Sequence, residues 1–176
     1  EHNREPWQTE GDIVSPWRVV LLARDLDALV NSDLIYGLND PPASELAAAE
    51  WIRPGRAVWS WWSEGNARDW TRQKWYIDRA AELGFEYCLV DAGWEGKNWQ
   101  NDGRNHWDVV EELVEYGRAR GVGLWVWRTS EWLLTPEKRE WFFGRARQAG
   151  IAGVKIDFIK HESKEMVDWR VATLQD

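Results

Sequence analysis

The stretch Gly153-Val154-Lys155-Ile156-Asp157-Phe158 holds the residues best placed for chemistry in this sequence. It reads as a short apolar strand with a lysine and an aspartate at alternate positions. Strand side chains alternate faces, so Lys155 and Asp157 share one side while Val154, Ile156 and Phe158 share the other. Two opposite charges on an otherwise apolar strand are costly to bury without a purpose. At the C-terminal end of a parallel barrel strand the purpose is usually a site. Asp157 there could act as a nucleophile. It could equally pair with Lys155, or cap the helix that follows.

Other residues could join such a site. Asp91 ends the apolar run FEYCLVD in phase with Tyr87 and Leu89, and could bind a pair of hydroxyls or cap the Ala92-Gly93 turn. Arg128 and Glu131 follow the run VGLWVW and could reach the same mouth, or form a surface ion pair. The chain has 16 tryptophans, more than a core of this size needs. Flat aromatic faces stack on the apolar faces of sugar rings, and also fill cores and interfaces. Trp61 and Trp94 lie at or just past strand ends and could be stacking walls or core. His106 has no histidine cluster around it. Glu95, Asp102 and Asp108 share a loop region without the spacing of a calcium loop. Cys88, the one cysteine, sits in an apolar run and reads as a small buried hydrophobe.

These residues must be positioned by repeated strand–helix units. Ala57 to Trp62 predicts a first strand, and Asp69 to Leu83 a helix ended by Gly84. Phe85 to Asp91 predicts a second strand, and a helix opens at Asp108 with Glu111 as a capping-box partner. Val122 to Trp127 predicts the third strand. Thr135-Pro136-Glu137 starts a helix that Gly150 stops. Gly153 to Phe158 is the fourth strand, and Ser163 caps a final helix. The strands recur about every 30 to 35 residues, the period of a (β/α) repeat. The long loops follow the strands, on the face where such barrels carry function, and they hold Trp94, Trp99, Trp107 and Trp132.

A complete barrel needs about 250 residues and eight strands. Only about 120 residues lie beyond Gly55. The fold class expected is therefore α/β, a partial (β/α)8 barrel of about four units over residues 57–176. A bare four-unit sheet has open edges that invite association, and a piece of a longer protein is the preferred expectation. Residues 1–56 read as the end of a preceding domain and a connector, with a strand from Pro16 to Leu22 and a turn or short helix near Leu26 to Val30. The start at Glu1 rather than Met points to a processed or truncated beginning. A net charge of −8 argues against nucleic acid. No run reaches the roughly 18 apolar residues of a membrane span.

The segments PWRVVLLARDLDALVNSDLIYGLNDP, WIRPGRAVWSWWS, EYCLVDAGWE, GLWVWRTSEW and GVKIDF span residues 16 to 159. Together they make the chain resemble glycoside hydrolase family 97, a family of α-glucosidases and α-galactosidases. The resemblance implies an N-terminal β-sandwich, ending in residues 1–56, before a catalytic (β/α)8 barrel. It implies an oligosaccharide substrate, a bound calcium ion with most ligands outside this chain, and a periplasmic or extracellular bacterial setting. Retaining members carry an aspartate nucleophile at the end of the fourth strand, and Asp157 occupies that position. The chain thus looks like the retaining, α-galactosidase branch, with its acid/base glutamate beyond Asp176. In that frame Lys155 holds Asp157 ionised and binds sugar hydroxyls. An α-glucosidase and a non-catalytic sugar-binding half-barrel are the alternatives.

Overall fold

The computed structural model describes residues 8, 10–12, 18–38, 40–64, 69–96 and 103–176. They fall into two compact units, Pro6–Pro54 and Gly55–Asp176. The first unit contains three short helices, α1 (Leu26–Val30), α2 (Leu34–Gly37) and α3 (Ser44–Ala47). The Asp25 carboxylate caps α1 by accepting the Ala28 N–H at 2.8 Å. Residues 18–22 form no strand. A strand must satisfy its backbone through a neighbour, and none pairs with them among the described residues. Pro16 and Trp17 of that expected strand lie outside the described residues.

The second unit alternates strands and helices: β1 (Ala57–Trp59), α4 (Trp61–Glu64), α5 (Trp70–Glu82), β2 (Tyr87–Val90), α6 (His106–Arg118), β3 (Gly123–Thr129), a 3-10 turn (Ser130–Leu133), α7 (Pro136–Gln148), β4 (Gly153–Asp157) and α8 (Lys164–Gln175). The strands form one parallel sheet in the order β1-β2-β3-β4. Chain order and sheet order coincide, as they do when each helix crosses back over one face. Several boundaries differ from the sequence reading: β3 runs on through Arg128 to Thr129, β2 is shorter at both ends, and β4 stops at Asp157. The first strand stops at Trp59, and Trp61 starts a helical turn instead. Helix α6 begins at His106, because Asn105 accepts the Trp107 N–H at 2.8 Å and takes the capping role assigned to Asp108. Thr135 and Ser163 cap α7 and α8 as the sequence reads, with Pro136 opening α7, and Asp69, read as the first helical residue, caps α5.

The sheet has two unlike faces. Cys88, Val90, Leu124 and Val126 point toward the helices and are almost fully buried with Ile77, Val110, Leu113 and Phe142. Each such aliphatic stabilises the unit by about 1.5–3 kcal/mol. Burial also pushes the Cys88 thiol up to about 12, so it is an inert core group. The opposite face carries Trp59, Tyr87, Leu89, Trp125, Trp127, Lys155 and Asp157, in register across the strands. Near its lower end two glycines make room for rings. A Cβ at Gly123 would meet the Tyr87 ring at 2.9 Å, and one at Gly153 would run into the Trp125 indole.

Candidate active site

At the C-terminal ends of the strands the inner face gathers its charges. Asp157 ends β4, Lys155 lies one pleat below it, and Asp91 follows β2. Lys155 Nζ stands 3.1 Å from Asp91 Oδ2 and 3.5 Å from Asp157 Oδ2. One ammonium therefore bridges two carboxylates. It also sits over the Trp59 ring, 4.3 Å from the centroid, where the ring's negative face favours a cation. The two carboxylates differ in access. The Asp91 side chain is 4% exposed, and that of Asp157 is 41% exposed.

Asp91 has its oxygens committed. Oδ2 accepts the Trp59 indole N–H at 2.6 Å, and Oδ1 accepts the Ala92 N–H at 2.7 Å. It therefore caps its turn and anchors Lys155 at once. Asp157 is held by Phe158 and Trp127. Oδ1 accepts the Phe158 N–H at 2.9 Å, and Oδ2 accepts the Trp127 indole N–H at 3.2 Å. The Phe158 N–H, then the Trp127 indole and the Lys155 ammonium, hold the Asp157 carboxyl below the usual carboxylate range despite partial burial. The group is thus an anion with an open side, which is the state a nucleophilic carboxylate needs.

The structure brings Asp157, Lys155 and Asp91 together and separates the other candidates from them. Trp94 is completely buried and donates its indole N–H to the Trp127 carbonyl at 2.9 Å, so it packs as core rather than as a stacking wall. Trp61 is 44% exposed on the turn α4, off the strand to which the sequence assigned it. Arg128 follows Trp127 by one residue and so turns to the helix side. There it pairs with Glu95 and lies over the Trp132 and Phe142 rings, 4.7 and 5.2 Å from their centroids. It lines an open cavity of about 600 Å³ with His106, Trp107, Trp132 and Trp141, on the far side of β3 from Asp157. Burial pushes the Glu95 carboxyl above its ordinary value against the pull of Arg128. Glu131 pairs with Lys160 on the surface, both more than half exposed. Trp99 and Asp102 lie outside the described residues.

Sequence reasoning missed two indoles that touch the carboxylates, those of Trp59 and Trp127. Alternation carried the signal: Trp59 shares parity with the inner face of β1, and Trp127 pairs in register with Lys155. It also assigned Phe158 to the face opposite Asp157. The backbone turns left-handed at Phe158, φ 57°, and lays the ring 5.8 Å from Trp127 on the inner side.

The family model for glycoside hydrolase 97 matches residues 54–176. The chain belongs to glycoside hydrolase family 97. The model for the glycosyl-hydrolase 97 N-terminal domain matches residues 2–41. The chain is 37% identical over 172 residues to a probable retaining α-galactosidase of Streptomyces bingchenggensis, covering 92% of this chain and 26% of that protein. It is 29% identical over 161 residues to a retaining α-galactosidase of Bacteroides thetaiotaomicron, covering 86% of this chain and 24% of that one. Among solved structures it is similar to a β-arabinopyranosidase, with a TM-score of 0.61 and 28% identity over 70% of this chain and 20% of that one. The parallel sheet with its helices is a partial (β/α)8 barrel. The chain spans about a quarter of the length of these curated relatives.

Proposed function

We propose that this chain carries the nucleophile side of a retaining α-galactosidase active site, with Asp157 as the nucleophile. One observation supports it above the rest: Asp157 is an accessible carboxylate at the end of the fourth barrel strand, kept ionised by three donors. In retention a carboxylate oxygen bonds to the anomeric carbon as the glycosidic C–O bond breaks. The leaving oxygen takes a proton from a second carboxyl group about 5 Å away, and water then releases the sugar with that group acting as base. Asp91 is unsuited to the second role, since its oxygens are buried and committed to Trp59, Ala92 and Lys155. The family resemblance supports a glutamate beyond Asp176 as the acid/base. Lys155 has one ammonium hydrogen beyond its two carboxylates and would offer it to a ring hydroxyl.

The calcium ion implied by the family finds no cage here. Among the described residues no three His, Cys, Asp or Glu side chains are placed to hold a metal. No step above runs through the ion.

The test uses the protein at its full length on an aryl α-galactoside, with the anomeric configuration of the first-formed product read by NMR. The expected product is retained. Asp157→Gly should be inactive and should recover turnover in azide, giving the β-galactosyl azide. Unchanged hydrolysis by Asp157→Gly would remove Asp157 from the reaction, and absence of hydrolysis by the parent would favour a binding-only barrel. The β-arabinopyranosidase likeness motivates a parallel assay. A β-L-arabinopyranoside shares the ring hydroxyl configuration of an α-galactoside and lacks its hydroxymethyl group. An aryl α-glucoside completes the set.

A further inference from the structure

Phe158 is the only non-glycine residue with positive φ among the described residues. A side chain pays for the left-handed region with a clash between Cβ and the following carbonyl. Such strain persists only where the surroundings over-determine it, and it clusters at functional sites. Here the surroundings can be named. Ser130, 1% exposed at the start of the 3-10 turn after β3, donates its hydroxyl to the Phe158 carbonyl at 2.9 Å. The Phe158 ring leans edge-on against Trp127, 5.8 Å between centroids and 74° between planes.

The consequence falls on the preceding residue. The left-handed turn brings the Phe158 N–H back onto the carboxylate of Asp157, its own neighbour, at 2.9 Å. A chain continuing as a strand would spend that N–H on a ladder partner instead. Trp127 thus serves twice, supporting the Phe158 ring and donating its indole N–H to the other oxygen of the same carboxylate.

We infer that Ser130 and Phe158 form a clamp that sets the orientation of the Asp157 carboxylate: Ser130 is a positioning residue that acts through the left-handed backbone of Phe158. The inference rests on the reading of Asp157 as nucleophile and extends it to residues that never meet the sugar. It separates the job of reacting from the job of aiming. Misaiming a reacting group by a fraction of an ångström is enough to cost turnover.

The experiment compares Phe158→Val with Phe158→Gly, and Ser130→Ala in both the parent and the Phe158→Gly background. Valine resists φ 57° most strongly, whereas glycine adopts it freely. Both lose the ring contact with Trp127, so their difference reports the backbone. The readout is kcat and the acid limb of kcat/KM on an aryl α-galactoside, with melting temperature as the check on folding. Among the described residues the charged groups facing Asp157 are Lys155 on its own strand and Asp91 through that lysine, and all variants keep both. Phe158→Val should lose about tenfold in kcat relative to Phe158→Gly and carry its acid limb to higher pH. Ser130→Ala should lose about tenfold in the parent and less than about twofold when residue 158 is glycine, because glycine needs no clamp. Equal kinetics for the valine and glycine variants would overturn the clamp. So would an equal Ser130→Ala penalty in both backgrounds, as expected of a merely structural hydroxyl. Failure of the nucleophile reading looks different: Asp157→Gly would then stay active.

Discussion

Trp127 and Arg128 are neighbours in the chain, yet they serve opposite faces of one sheet. On the Trp127 side a single ammonium is shared by two carboxylates, one of them open to solvent. On the Arg128 side one guanidinium meets one carboxylate, Glu95, with the arginine side chain only 9% exposed. The outer pair is compensated charge for charge and buried, which is the condition for a structural ion pair. The inner set has an excess carboxylate facing open space. That surplus, rather than the mere presence of charge at a strand end, distinguishes the face proposed to react from the packed one.

Substitutions on the two faces should therefore fail in different ways. The largest effect belongs to Asp157→Gly, with a loss of about 10⁴-fold or more in kcat and an unfolding free energy close to the parent's. Lys155→Met should follow, losing about 100-fold in kcat/KM per folded molecule and about 1–3 kcal/mol of stability, because Asp91, 4% exposed, then keeps only the neutral Trp59 and Ala92 donors. Arg128→Met should spare turnover. It leaves Glu95 buried and unpaired, and should cost about 3 kcal/mol in a denaturant titration with little change in kcat per folded molecule. The Glu95 carboxyl, already raised, would rise further without Arg128. A raised carboxyl favours the folded state below its unfolded value and loses that advantage as pH climbs through its folded value. The deficit of Arg128→Met should thus shrink in acid and grow toward neutrality. If Arg128→Met instead abolished turnover in well-folded protein, the division between the faces would be wrong.

Two smaller tests sharpen the contrast. Trp127→Phe removes one donor to Asp157, and should move the acid limb of kcat/KM upward in pH and lower kcat severalfold. The sign follows from the depressed carboxyl: fewer donors mean that it protonates at higher pH. Glu131→Ala breaks only the exposed pair with Lys160, and its stability should change by less than about 1 kcal/mol in the same titration.

The four strand–helix units were legible because apolar runs, caps and stopping glycines agreed with one another. Asp69, Thr135-Pro136 and Ser163 mark helix starts in sequence and in structure alike. The family was legible for a different reason, through five segments whose combination is specific. The site was only partly so. Parity paired Lys155 with Asp157, but it says nothing about long-range partners, so the bridge to Asp91 and the indole donors needed the sheet register. Arg128 and Trp94 were left open between the mouth and packing, because nearness to a strand end does not say which way a side chain faces. For Arg128 the pleat decides the facing, and for Trp94 the buried carbonyl that its N–H reaches. Phe158 broke alternation because the strand stops at Asp157, and sequence gives no sign that a phenylalanine will accept positive φ.

Gly153 and the Trp125 indole occupy a single shared space. Neither position can be altered as an independent variable. Enlarging residue 153 first would drive the ring out of place, whereas trimming residue 125 first would open room for a methyl group or more. The evolutionary route between alternative fillings of that layer thus has a direction, with the big partner yielding before the small one grows.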